Sequence, residues 1–78
     1  MPDLATELAH LQAANQHVEQ AQAHIAEARA RIAASTVQGR DVGQSLTSLE
    51  TLERALDAFE GHRSLIVRTI EDIKAGKI

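Results

Sequence analysis

Residues 35–44 read STVQGRDVGQ, and this stretch decides the fold. Turn-forming residues gather here as nowhere else in the chain, and Gly39 can take the left-handed backbone that side chains disfavour. The single proline, Pro2, lies at the far end, so nothing interrupts a helix on either side of the turn. The expected order is a helix over about residues 3–36, a turn over about 37–40 and a helix over about 41–75. The whole chain, 1–78, then forms one helical-hairpin domain. At about 1.5 Å per residue each helix is roughly 50 Å long.

Upstream of the turn, Leu4, Leu11, Val18, Ile25 and Ile32 recur at every seventh position. Assigning them to heptad position a puts Ala14, Ala21 and Ala28 at d, the pattern of a coiled-coil seam. Asp3, just after Pro2, suits the N-cap. Downstream, Val42, Leu49, Leu56 and Ile70 take a, while Leu52, Phe59, Ile66 and Ile73 take d. Arg63 interrupts that a row. Asp41-Val42-Gly43-Gln44 has the form of a capping box, with Asp41 as cap and Gln44 reaching back. Gly76 stands where a glycine ends a helix.

A short turn makes consecutive helices antiparallel neighbours. In such a pair a faces d, so facing residue numbers share a constant sum. A sum of 77 centres the fold-back beside Gly39. It pairs Leu4 with Ile73, Leu11 with Ile66, Val18 with Phe59 and Ile25 with Leu52. Between these layers Ala14 meets Arg63, Ala21 meets Leu56 and Ala28 meets Leu49. Small opposite large lets two helices approach without voids. Turn position and heptad phase rest on different residues and agree.

The fold class is therefore all-α, an antiparallel two-helix coiled-coil hairpin. One seam encloses little, and a 78-residue chain needs some further source of stability. With no cysteine there is no disulfide, which fits a reducing compartment. Much of the 44% hydrophobic content is alanine, and Phe59 is the sole aromatic residue. Leu8, Leu46, Leu65 and Val67 fall off the seam, and a second hairpin packed on them would complete a four-helix bundle. Twofold homodimers are the commonest closed assemblies, so the chain itself is the expected partner.

Charge narrows the remaining partners. The net charge is −3 and the basic residues are scattered, with no stripe to follow phosphates, so no nucleic acid is expected. Apolar runs such as Leu65-Ile66-Val67 are too short to cross a membrane. MPDLATE lacks the pattern of a secretory signal, and the expected location is cytoplasmic.

His10, His17 and His24 recur every seventh residue. Neighbours in that ladder stand about 10.5 Å apart along the axis, too far to share one ion. All three occupy position g. Across an antiparallel pair g faces g with residue numbers adding to 79, which sets His17 opposite His62. That pair is the candidate metal site, with a dimer mate supplying further ligands because no carboxylate lies three or four residues from either histidine. Otherwise the pair is a half-exposed polar shoulder that charges and loosens as pH falls through the imidazole range.

Arg63, at an a position opposite Ala14, is expected to turn its guanidinium out of the seam toward a carboxylate such as Glu60. There it sets register or meets a partner. Gly61 reads as a tolerated exposed helical glycine or as a point of close approach by another chain. Catalysis has little support: the chain has no cysteine, no tyrosine, no phosphate-binding loop and no nucleophile elbow. Glu7-x-x-His10 has the spacing of a di-iron ligand pair, but the inward carboxylates that such a site needs from the other helices are missing. No cofactor is expected, and the chain is read as a non-enzyme.

His17-Val18, Ile25, Gly39-x-Asp41 before a leucine-rich helix, and Phe59-Glu60-Gly61-His62-Arg63 together carry a resemblance. Over roughly residues 15–70 the chain resembles short, uncharacterised helical-hairpin proteins of proteobacterial, rhizobial type. The resemblance implies the hairpin fold and no activity. The expected function is a small non-catalytic interaction module, an adaptor, regulator or inhibitor acting by protein–protein contact. Its candidate contact residues are Leu8, Leu46, Arg63, Leu65 and Val67. The alternative is a metal- or pH-responsive bundle centred on His17 and His62.

Overall fold

A computed structural model describes residues 2–78 as two helices, α1 (Leu4–Val37) and α2 (Gly43–Lys74). They lie side by side in a rod 58 × 15 × 15 Å. Asn15, in the first half of α1, meets Arg63, in the second half of α2, whereas Arg29, late in α1, meets Glu53, early in α2. The hairpin is antiparallel.

α1 starts where the sequence places it. Asp3, in extended backbone, caps the helix by accepting from the Thr6 N–H at 3.2 Å and the Thr6 hydroxyl at 2.6 Å. Those two bonds favour the ionised carboxyl and hold it below its ordinary value of 3.8. At the other end the Gly39 N–H donates to Thr36 and the Arg40 N–H to Ser35, with Gly39 at φ +73°. This is the Schellman stop, and it recurs after α2, where Gly76 donates to Ile73 and Lys77 to Asp72.

The start of α2 departs from expectation. The helix begins at Gly43, with Val42 as N-cap and no side-chain cap bond. Asp41 sits one residue earlier, and its Oδ1 accepts from the Gly43 N–H at 2.9 Å. An aspartate bonding two residues ahead closes an Asx turn, which competes with the cap position and pushes the helix start past Val42. The capping box with Gln44 does not form.

The seam carries the burial. Val18 and Ile25 are buried from the a row, and Ala14, Ala21 and Ala28 from the d row. From α2 only Ile66 and Ile70 reach full burial among the described residues. Leu49, Leu52, Leu56, Phe59 and Ile73 are half-buried. The asymmetry follows from size: an alanine disappears beneath the opposite helix, while the larger side chain facing it keeps an edge in water. Ala14, Ile66 and Ile70 form a cluster at the open end, with Leu4 and Leu11 packed against it.

Candidate functional surface

Two long sides flank the seam, and the sequence sorts different chemistry onto each. Positions b and e of both helices share one side. Its groove is lined by Gln22, Ala26, Arg29, Glu53 and Asp57. Glu19, Glu50, Glu53, Asp57, Glu60 and Glu71 all occupy b or e, making this the acidic side. Arg29 offsets part of that charge through an exposed 3.4 Å pair with Glu53, an arrangement worth little in water.

Positions c and g share the other side, where His17, Gln20, His24, Ala55 and Phe59 line a groove. His10, His17, His24 and His62 are all at g, so this is the histidine side. Its other charged residues are Arg31 at g, with Glu27 and Asp72 at c. Glu7, in the seam and only 14% exposed, bonds the His10 Nδ1 at 2.8 Å. That Glu-x-x-His is a local pair within one helix turn.

His17 has an aromatic neighbour on this side. Its ring packs on Phe59, with centroids 5.3 Å apart and planes tilted by 36°. Phe59 leans over the g shoulder because Val18, its seam partner, leaves an aromatic ring uncovered, and the imidazole takes that place. Among the described residues no three histidine or carboxylate side chains gather as a metal-ligand group. The candidate pair His17 and His62 therefore has no third ligand within one hairpin.

Arg63 also corrects its expectation. The guanidinium leaves the seam, but it donates to the Asn15 amide oxygen at 3.5 Å and not to Glu60. At that distance the bond is weak. Position e of the opposite helix is simply nearer to an outward-turning a residue than the next turn of its own helix. The Asn15 contact was legible only once the register was known.

The candidate contact residues do not form one patch. Leu8, Leu46 and Val67 are at e, on the acidic side, exposed by 46%, 46% and 37%. Leu8 and Val67 lie together near the open end, whereas Leu46 is near the turn. Leu65, 62% exposed, is at c on the histidine side. No buried polar side chain lacks a partner among the described residues. No helix there is long and apolar enough to cross a membrane.

Comparison with protein-family models, with curated proteins and with solved structures finds no match to this chain.

Proposed function

We propose that this chain is a small helical interaction module that works as a homodimer and contacts a further protein through its helical sides. The observation that carries the reading is uncovered surface. A compact folded monomer of 8.4 kDa exposes about 4,600 Å². This hairpin exposes 5691 Å². The excess of about 1,100 Å² resembles what one partner buries in a stable complex, roughly 600–1,000 Å². Exposed Leu8, Leu46, Leu65 and Val67 lie within that surface, and Arg63 is a further polar contact at its edge. The side chains able to do acid–base chemistry are strung along solvated helix surfaces, which favours binding over catalysis.

Sedimentation equilibrium of the full chain near neutral pH tests the assembly. The expected result is a mass of two chains at micromolar concentration; a single-chain mass at every concentration overturns it. Capture of a protein by the tagged chain, lost in Leu8→Glu/Val67→Glu while helicity is retained, is the expected sign of the further contact. Capture unchanged by that variant removes these residues from it.

A further inference from the structure

We infer that the homodimer closes through the side carrying positions b and e, with a second copy of this chain as occupant. Its twofold axis runs along the rod, so α1 of each copy lies against α2 of the other, with both turns at one end. The inference rests on the homodimer reading and adds which surface is used and how the copies align.

Exposed apolar residues mark that side. Leu8, Leu46 and Val67 all stand at e, and Ile25, Ala26 and Leu56 line the groove between the helices. On the other side Leu65 is exposed, while Phe59 is already met by the His17 ring. Removing apolar surface from water is what drives pairing, so the weight falls on b and e. The hairpin exposes about 1,100 Å² more than a compact monomer of its mass. One partner in a stable complex buries roughly that much.

The charge on this side is sorted by helix. α2 carries Glu50, Glu53, Asp57, Glu60 and Glu71, with Lys74 and the outward-turned Arg63 as cations. The matching positions of α1 are mostly alanine and side-chain amides, and Glu19 and Arg29 are their only charges. Twofold symmetry brings this surface against itself, and two axes keep the rods side by side. An axis across the rod sets α2 on α2 and brings the two acidic stripes together, which strongly disfavours pairing. An axis along the rod sets each α2 on the other copy's α1 at the same level.

In that second arrangement the nearest e residues add to 75 and the nearest b residues to 76. Leu8 meets Val67 of the second copy, and symmetry repeats the pair, gathering four apolar side chains near the open end. Glu53 meets Gln22, Glu60 meets Asn15 and Glu50 meets Ala26, so acids face amides and alanine. Leu46 lies over the stem of Arg29, whose head falls between Glu53 of its own copy and Glu50 of the other. Glu19 meets Asp57, a like-charged contact that Arg63 answers. Within the hairpin, Arg29 reaches Glu53 at a sum of 82 by leaning toward its own N-terminus, as helical side chains do. Arg63 and Glu19 of the second copy add to the same 82. Leu65, at c, lies outside this interface and stays open to a further protein.

Sedimentation equilibrium near neutral pH, with helicity followed by circular dichroism, tests the surface. Leu8→Glu/Val67→Glu should be a folded monomer, since both side chains are already partly exposed in the hairpin. Its loss of capture then follows from loss of pairing. Gln22→Lys should tighten the dimer about tenfold and Gln22→Glu loosen it about tenfold, because residue 22 meets the other copy's acidic helix twice. Gln20→Lys/Ala58→Lys, on the histidine side, should leave the dimer intact. Spin labels at Lys77→Cys, at the open end of a chain without native cysteine, read the alignment. They should lie within the combined width of two hairpins, each 15 Å across, and not most of the 58 Å rod apart. A dimer that survives Leu8→Glu/Val67→Glu, or that Gln20→Lys/Ala58→Lys breaks, overturns the surface. Labels a rod length apart, or lysine at 22 pairing no tighter than glutamate, overturn the alignment. Each of these spares the homodimer, whereas a wild-type monomer at micromolar concentration overturns both readings.

Discussion

Asp3 and Asp41 carry the same side chain one or two residues before a helix and do different work. Asp3 is the cap itself and takes two bonds from Thr6. These bonds lower its folded pKa below 3.8, so its contribution to stability is complete above that value and is lost as pH falls through the depressed one. Asp3→Ala should melt below wild type near neutral pH, with the gap closing on strong acidification. Asp3→Asn, which caps without charge, should lose less on acidification than wild type. Melting curves by circular dichroism at descending pH check both, and a gap that ignores pH contradicts the assignment. The glycines divide in the same way. Gly39, at φ +73°, and Gly61, inside α2, both have open space where a Cβ would go. Alanine at 39 therefore meets only backbone strain, a loss of about 1 kcal/mol. Alanine at 61 removes only excess chain entropy, a gain of about 1 kcal/mol. Urea denaturation should return opposite signs for the two.

At the scale of the helices, the division of labour between α1 and α2 was legible in the sequence. Alanine at d in α1 predicts close approach, and Ala14, Ala21 and Ala28 are all buried. Gly39 and Gly76 marked both helix ends because a left-handed residue is needed there and glycine supplies it. Less legible was anything decided by competition between near-equal partners. Asp41 had a cap and an Asx turn open to it, and Arg63 had Glu60 and Asn15. In each case the choice turns on a few ångströms of side-chain reach, which heptad letters do not encode. Arg63 yields the element-scale prediction. It interrupts an otherwise apolar a row opposite buried Ala14 and makes one weak 3.5 Å bond in exchange. Arg63→Leu should stabilise the hairpin by roughly 1–2 kcal/mol through apolar burial. A destabilised variant in urea would show that the Asn15 contact matters more than its length suggests.

Across the whole molecule, the uncovered surface and the thin core belong to one problem. A hairpin with a single buried row buries little, and the pairing proposed above would add to what it buries. If folding and pairing are one event, the melting temperature must depend on concentration. Unfolding two 78-residue chains together at about 2.1 cal/mol/K per residue gives an entropy near 330 cal/mol/K. A tenfold dilution changes the balance by about 1.4 kcal/mol, so the midpoint should fall by about 4 °C. Melts at three concentrations near neutral pH measure this directly, and a midpoint that stays fixed shows a hairpin stable alone.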